Sequence, residues 1–379
     1  MNQILQNKHV VLGLSGGVDS ALAGLLLREQ GYHVTALFMK NWEEDDSSGH
    51  CSAEEDLKEA KLVCEQLDIP LQTINFASEY WDRVFEYFLK EYKANRTPNP
   101  DVLCNKEIKF KTFLDYALSL GADKISMGHY AGVEEHDGQF QLTKAADTGK
   151  DQTYFLHTLG QYELSRSLFP LAHLTKQEVR EKAEAAGLPN FDRKDSTGIC
   201  FIGERDFKSF LNRYLPMQPG DIYTAEGEFR GKHSGLVFLT IGQRQGLGIG
   251  GPGGPWYVAG KNIENNTLIV VEGENHPALF SEGLSAININ WVAGHPPSFP
   301  FHCTARTRHR QPEQACIVEM NPDNTLKVMF EKPQRAITPG QSVVFYNNNL
   351  CLGGGIIGQT ITSSTNSDLN KNTGLVNTG

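Results

Sequence analysis

A glycine- and serine-rich stretch near the amino end carries the clearest chemical signal in this sequence. It reads Gly-Leu-Ser-Gly-Gly-Val-Asp-Ser and lies between an apolar run at 9–14 and an amphipathic run at 19–30. A buried strand, a tight turn and a helix are expected there in that order. Adjacent glycines let backbone N–H groups face one hollow, where the helix dipole favours an anion. The residues of this predicted phosphate loop are Gly13, Leu14, Ser15, Gly16, Gly17, Val18, Asp19 and Ser20.

The phosphate loop has no lysine, whereas a Walker-type loop ends in Gly-Lys followed by Ser or Thr. Its Ser-Gly-Gly-Val-Asp-Ser core resembles the pyrophosphate loop of the ATP pyrophosphatase superfamily. That resemblance implies cleavage of ATP between its α- and β-phosphates, with AMP passing to a substrate. An ordinary strand-to-helix turn is the alternative, since it would use glycine in the same way. Mg²⁺ is expected with the triphosphate, without an assigned side-chain ligand, and Asp19 either lies near the ion or caps the helix.

Two of the seven cysteines stand apart from the others. Cys104 and Cys200 lie in stretches rich in Gly, Pro, Asn and Asp, which predicts loops, and Cys104 comes just before a predicted helix at 105–119. A thiol near a helix amino end tends to be reactive. Because no Cys-x-x-Cys pair occurs, a zinc knuckle and a thioredoxin-like motif are not encoded. The other cysteines, assigned to packing or to inert surface, are Cys51, Cys64, Cys303, Cys316 and Cys351.

Length and composition limit the class of protein. A chain of 379 residues is expected to form two or three domains, and 39% hydrophobic with 21% charged residues is ordinary for a globular protein. Without a membrane-length apolar run or a signal-peptide core, a cytoplasmic protein with no membrane partner is expected. A net charge of −10 argues against a general nucleic-acid binder, although a local basic surface would suffice for binding.

Hydrophobic periodicity divides the chain into an α/β half and a β-rich half. Strand and helix patterns alternate up to residue 214, which predicts an α/β fold with a doubly wound parallel sheet and a ligand at the carboxyl ends of its strands. The predicted strands are 9–14, 33–39, 71–76 and 123–129, and the predicted helices are 19–30, 54–67, 78–94 and 105–119.

Short alternating segments follow in the second half, which predicts a small central β-rich domain and a C-terminal β-barrel. These segments are 236–241, 256–259, 267–272, 316–320, 326–330 and 342–346. We place the domains at 1–214, 215–277 and 278–362, followed by a disordered tail at 363–379 that is rich in Ser, Thr and Asn.

Further motifs agree with the phosphate loop and point to one family. They are the segments 38–42, 99–110, 127–130, 150–156, 195–203, 241–248 and 338–341. Together they closely resemble the bacterial tRNA-specific 2-thiouridylase family, from residue 8 to residue 360. The resemblance implies a three-domain enzyme with an adenine-nucleotide α-hydrolase-like first domain. It also implies that sulfur replaces the 2-oxygen of the wobble uridine in tRNAs for lysine, glutamate and glutamine, using ATP.

The resemblance also implies roles for individual residues. Cys200 carries a persulfide, Cys104 is its partner thiol, and Asp101 is a general acid or base beside the target uridine. Met39 and Gly128 adjoin the adenosine of ATP. The residues implied to face the tRNA or the flipped base are Asn99, Pro100, Asp101, His129, Lys150, Asp151, Gln152, Arg308, His309 and Gln341. A cysteine desulfurase, in some cases through relay proteins, is the implied source of sulfur.

Plainer interpretations of the same residues stay open. Met39 and His129 could be core residues, Gly128 a turn glycine, and Asp101 the start of an Asx turn. The basic run 306–310 could be a solvated strand face.

Other functions also remain. One is an ammonia-using synthetase with the same loop, and another is an iron–sulfur tRNA thiolase. A non-catalytic RNA-binding module is the third, although such a module does not explain the phosphate loop.

Overall fold

The computed structural model describes residues 8–43, 52–195 and 206–362, with the side chains of residues 52 and 53 excepted. Cys51, Cys200 and the predicted tail at 363–379 therefore lie outside the described residues. Within the described ranges, no helix is both long enough and apolar enough to cross a membrane.

The first half of the chain builds a parallel sheet of five strands in the order β3-β2-β1-β4-β7. These strands are β1 (His9–Gly13), β2 (His33–Lys40), β3 (Leu71–Asn75), β4 (Lys124–Ser126) and β7 (Ser167–Leu168). Because β1 lies between β2 and β4, the strand order reverses there, and a ligand crevice is expected outside the carboxyl ends of β1 and β4. The predicted doubly wound α/β sheet is confirmed.

Helices pack on both faces of this sheet, so β1 contributes Val11 to one apolar core and Val10 and Leu12 to the other. The α-helical segments are α1 (Val18–Glu29), α2 (Ser52–Leu67), α3 (Ala77–Tyr80), α4 (Glu86–Lys93), α5 (Pro100–Leu103), α6 (Phe113–Ser119), α7 (Thr153–Leu156), α8 (Gln161–Ser165), α9 (Lys176–Ala185) and α10 (Phe207–Asn212). A π-helical segment, Trp81–Phe85, joins α3 to α4, and another, Cys104–Thr112, joins α5 to α6.

The helix that contains Cys104 begins earlier than predicted. Asn99 is its N-cap, because the side-chain oxygen accepts from the backbone N–H groups of Asp101 at 3.2 Å and Val102 at 3.4 Å. Pro100 occupies the first turn, where its fixed backbone angle suits a helix. Cys104 is therefore inside a helical segment and 3% exposed, and the prediction that it lies in a loop is wrong.

The central part forms a separate four-stranded sheet in the order β10-β11-β8-β9. Its strands are β8 (Gly220–Thr224), β9 (Phe229–His233), β10 (Trp256–Asn262) and β11 (Thr267–Glu272). The strand predicted at 236–241 is wrong, because Leu236–Phe238 is a short 3-10 turn. The N–H of Leu239 bonds to the Leu236 carbonyl, and both leucines are buried, so their apolar pattern reflects a packed turn.

The predicted C-terminal β-barrel is confirmed. Its six strands close because β12 pairs with both β15 and β17. They are β12 (Phe280–Trp291), β13 (Phe301–Arg306), β14 (Gln314–Met320), β15 (Leu326–Arg335), β16 (Ser342–Asn347) and β17 (Leu350–Ile361).

A hairpin from the first half of the chain extends this barrel sheet. It consists of β5 (Gly132–His136) and β6 (Gln139–Thr143), and Leu142 of β6 pairs with Cys351 of β17. The short segment 127–131 links the end of β4 to this hairpin, so the barrel is attached close to the ligand crevice of the parallel sheet.

Candidate active site

The predicted phosphate loop lies where β1 ends and α1 begins. Gly16 has a φ of +80°, which favours glycine, and Ser20 ties the turn together by accepting from the Ser15 N–H at 3.2 Å and donating to the Gly17 carbonyl at 3.0 Å. Gly17 is the N-cap of α1 and has no side chain to bond the first-turn N–H groups. Those groups are therefore suited to an anion.

Three further residues, Gly128, Met127 and Met39, lie at the crevice outside the carboxyl ends of the central strands. A Cβ added at Gly128 would lie 2.6 Å from the Ser20 backbone nitrogen, so only glycine allows the end of β4 to approach α1 this closely. The side chains of Met127 and Met39 both reach Gly13, to within 3.3 and 3.5 Å of a Cβ built there. Two methionines beside a phosphate loop make an apolar wall that suits a nucleobase.

Asp19 does not cap the helix. Its Oδ1 accepts from the Tyr130 hydroxyl at 2.7 Å and from the Lys176 ammonium at 2.7 Å. Burial and the neighbouring Asp19 carboxylate raise the pKa of Tyr130, so its hydroxyl remains a donor. Lys176 begins α9, and its side chain is 13% exposed. The loop without a lysine thus receives an ammonium group from a distant helix.

A second acidic residue, Asp195, joins this cluster. It lies 2.7 Å from both Lys150 and Lys176, and 3.2 Å from Arg180. Burial opposes ionisation of Asp195, but hydrogen bonds from Lys150 and Lys176 outweigh it and lower its pKa to about 2. Asp195 therefore stays charged, and its ion pairs hold the end of the described 190–195 stretch beside Lys150 and Lys176.

Residues just before Asp195 cover the loop itself. The Gly16 carbonyl accepts from the Asn190 amide at 2.8 Å and from the Arg193 guanidinium at 3.1 Å. Arg193 also pairs with Asp56 of α2. Cys200 lies outside the described residues, and its role stays a prediction.

Lys109 links the candidate catalytic residues Asp101 and Cys104 to His129. The Lys109 ammonium is 3.4 Å from His129 Nε2, and Lys109 follows Cys104 by one π-helical turn. Burial and the Lys109 charge hold the pKa of His129 well below 6.5, so the imidazole is neutral. Burial raises the pKa of Asp101, and the Lys109 charge partly opposes the rise.

The tetrapeptide 127–130 connects the phosphate loop to the helical segment that contains Cys104. Met127 contacts Gly13, Gly128 packs on Ser20, His129 meets Lys109, and Tyr130 bonds to Asp19. The strand end therefore brings the Cys104 helix beside the phosphate loop. Lys109, Lys176, Met127 and Tyr130 were not among the predicted site residues, since their partners are far apart in sequence.

The residues predicted to face tRNA connect different parts of the protein. Asp151 is 2% exposed and accepts from the Arg306 guanidinium at 3.1 Å, while its carbonyl lies 3.1 Å from His309 Nε2. Gln152 accepts from the Tyr130 N–H at 2.8 Å.

Arg308 and Gln341 also bond within the protein. Arg308 Nη2 donates to the Ile241 carbonyl at 2.7 Å, the Ala336 carbonyl at 3.0 Å and the Thr338 hydroxyl at 2.9 Å. Gln341 donates to the Thr97 and Pro98 carbonyls at 2.8 and 3.1 Å, just ahead of Asn99 and Pro100. The structure therefore gives Asp151, Arg308 and Gln341 internal partners, and their contact with tRNA stays a prediction.

The parallel sheet, its switch point and the lysine-free loop define an α/β domain built to bind a nucleoside triphosphate. Family comparisons cover nearly the whole chain. Residues 8–204 match the tRNA methyl transferase HUP domain, residues 208–272 the tRNA methyl transferase PRC-barrel domain, and residues 281–357 the aminomethyltransferase beta-barrel domain.

Curated relatives carry a more specific name. The tRNA-specific 2-thiouridylase MnmA of Halalkalibacterium halodurans is 58% identical over 352 residues, which are 93% of this chain and 95% of the relative. The MnmA of Francisella tularensis subsp. mediasiatica is 57% identical over 358 residues, covering 93% and 100%. The chain belongs to the tRNA-specific 2-thiouridylase MnmA family.

Solved structures resemble the chain more distantly. A 4-thiouridine synthetase in complex with RNA and ATP aligns at a TM-score of 0.35 and 18% identity, over 54% of this chain and 49% of that one. An NMN synthetase from Francisella tularensis aligns at 0.32 and 20%, over 55% and 79%. These values are too low to add to the family assignment.

Proposed function

We propose that this chain is an ATP-dependent sulfurtransferase that replaces the 2-oxygen of the wobble uridine with sulfur in tRNAs for lysine, glutamate and glutamine. Its family membership supports the overall reaction. The single observation that supports the site is the 127–130 segment, which brings the Cys104 helix beside the phosphate loop. Nucleotide activation and sulfur transfer need that proximity, because the activated base must reach both groups.

The first step activates a poor leaving group. The uridine 2-oxygen attacks the α-phosphorus of ATP, and pyrophosphate leaves. The first-turn N–H groups of α1 and the hydroxyls of Ser15 and Ser20 hold the pyrophosphate end, and Lys176 neutralises charge there. Mg²⁺ bound with the triphosphate would neutralise further charge there, and Asp19 is the carboxylate of this loop that would hold it.

The second step delivers sulfur. The terminal sulfur of a persulfide on Cys200 attacks C2 of the adenylated base. The Cys104 thiolate then attacks the carrier sulfur of Cys200, forming a disulfide and leaving the transferred sulfur on C2. AMP departs with the former base oxygen, and an external thiol later reduces the disulfide. Asp101 handles the N3 proton of the base, a task helped by the raised pKa of its carboxyl.

Partners follow from this chemistry. A cysteine desulfurase, directly or through a relay protein, loads sulfur onto Cys200. The tRNA presents its wobble base extruded from the anticodon stack. We assign contacts with the tRNA to Arg308, Gln341 and the Asn99–Asp101 segment, and Gln341 bonds to the carbonyls just ahead of that segment. These assignments also fit a cytoplasmic enzyme, where the thiols stay reduced.

Nucleoside mass spectrometry tests the proposal. Purified chain is incubated with unmodified tRNA, ATP, Mg²⁺ and a cysteine desulfurase with cysteine, and the tRNA is digested. Wild type should yield 2-thiouridine at the wobble position, whereas Cys200→Ser and Cys104→Ser should yield none. Cys64→Ala, a buried thiol of α2, is the matched control and should retain the product.

The same assay separates the alternatives. Amidated product from ammonia with full activity in Cys200→Ser would indicate an ammonia-using synthetase. Thiolation that requires bound iron would indicate an iron–sulfur thiolase. A methylated base would support methyl transfer, and any of these three results would overturn the proposal.

A further inference from the structure

Two barrel cysteines lie face to face, away from the site described above. Cys303 of β13 and Cys316 of β14 are direct partners in the antiparallel register, and their Sγ atoms are 3.6 Å apart. Opposite residues of antiparallel strands have Cα atoms about 4.5 or 5.5 Å apart, and both values fall within the range that a disulfide spans. Closing the Sγ atoms to bonding distance therefore needs side-chain rotation rather than movement of the strands.

The two thiols differ in access to solvent. Cys316 is 2% exposed and belongs to the barrel core, whereas Cys303 packs at the edge of that core and is partly exposed. A reagent can therefore reach Cys303 first, and Cys316 is then the only thiol in contact with it among the described residues. An exposed thiol with a buried resolving thiol is the arrangement of a reversible dithiol.

We propose that Cys303 and Cys316 form a redox-active pair that a low-molecular-weight disulfide oxidises to an intramolecular disulfide. The Cys303 thiolate attacks the small disulfide, forming a mixed disulfide and releasing one thiolate. Cys316 then loses its proton and attacks the Cys303 sulfur, releasing the second thiolate. The two electrons pass to the small disulfide, which becomes two thiols, and excess thiol reverses the reaction.

The position of this pair gives oxidation a structural consequence. β13 and β14 are the two sides of a hairpin whose loop, 307–313, contains Arg308 and His309. Arg306 and Glu313, at the two ends of that loop, form an ion pair at 3.0 Å. A bond between Cys303 and Cys316 would hold the base of this hairpin covalently. The hairpin would then stay joined even when its loop is cut.

Peptide mapping tests the pair. The full chain is equilibrated in oxidised and reduced glutathione at graded ratios, alkylated, and digested without reduction. A peptide linking Cys303 to Cys316 should appear in wild type and be lost in Cys316→Ala and in Cys303→Ala. Cys351→Ala, a buried barrel thiol on β17, is the matched control and should still give the linked peptide.

Limited trypsin digestion supplies a second readout. Cleavage after Arg308 or Arg310 in oxidised protein should give fragments that stay joined on a gel without reductant and separate when reductant is added. The link should also form in Cys200→Ser, which makes this result independent of thiolation. If native protein forms no Cys303–Cys316 link at any ratio, or links only after unfolding in urea, the proposal is overturned.

Discussion

The Lys176 ammonium lies 2.7 Å from the Asp19 carboxylate, at the first turn of the helix that begins in the phosphate loop. The two residues are far apart in sequence, and the same ammonium also contacts Asp195 at 2.7 Å. Lys176 is therefore poised between two carboxylates, next to the place where phosphate charge would enter. This geometry supplies the cation that the loop sequence lacks.

Lys176→Met should slow pyrophosphate release by roughly a hundredfold, because one preorganised charge contact to the departing phosphates is lost. Steady-state pyrophosphate release in the presence of tRNA measures the effect. Lys182→Met, an exposed lysine of the same helix, is the control and should stay near wild type. Equal rates for both variants would remove Lys176 from the nucleotide step.

Gly128→Ala should destabilise the protein and weaken ATP binding. The new methyl group would meet the Ser20 backbone nitrogen at 2.6 Å, and backbone cannot move aside cheaply. A loss of about 1–3 kcal/mol in the free energy of unfolding is expected for such overpacking. Denaturant unfolding and equilibrium ATP binding measure it. Gly250→Ala, where a Cβ would meet no atom within 4 Å, should change neither quantity.

Lys109→Met should move the acid limb of the pH–rate profile of thiolation to higher pH. Burial raises the pKa of Asp101 and the Lys109 charge opposes that rise, so removing the charge raises the pKa further. A general base works only above its pKa, and activity at the acid end should therefore fall while activity at high pH persists. The pH profile of single-turnover thiolation is the measurement. Lys111→Met, an exposed neighbour paired with Glu107, should leave the profile in place, and a fixed acid limb in Lys109→Met would contradict the assignment.

Gln341→Ala should lower thiolation by roughly tenfold, because it removes two hydrogen bonds that hold the backbone ahead of Asn99. The ATP affinity should be unchanged, since Gln341 contacts the Thr97–Pro98 segment rather than the phosphate loop. Thiolation rate and ATP binding measured on the same preparation separate the two effects. Gln359→Ala on the exposed end of β17 is the control. A parallel fall in ATP binding would show that the substitution disturbs the whole domain.

Much of the architecture was predictable because local patterns and long-range packing agree. The apolar run at 9–14 predicts β1, and the amphipathic segment at 19–30 predicts α1. The glycines between them predict the loop. The start of the Cys104 helix was missed since its N-cap, Asn99, lies in a stretch whose Pro and Asp residues also favour turns. The prediction of a strand at 236–241 failed because residues 236–239 form an unbroken apolar run, which suits a buried strand and a packed 3-10 turn equally.

The charged half of the site could not be found from sequence. Lys176 meets Asp19, and Asp195 meets Lys176, only because α9 and the residues after it fold back over the loop. Lys109 meets His129 through the end of β4, and no periodicity encodes that approach. The β5–β6 hairpin belongs to the first half of the chain, yet it pairs with β17 of the barrel. Composition divides the chain into two halves and does not predict this pairing between them.

The origin of the oxygen in AMP tests the central claim most directly. Thiolation is run in heavy-oxygen water with unlabelled tRNA and ATP, and the AMP formed is analysed by mass spectrometry. If the uridine 2-oxygen attacks ATP at the phosphate loop and leaves with AMP, the AMP should contain no heavy oxygen and should match 2-thiouridine in amount. One heavy oxygen in each AMP would mean that water cleaves the nucleotide, and would contradict activation of the base.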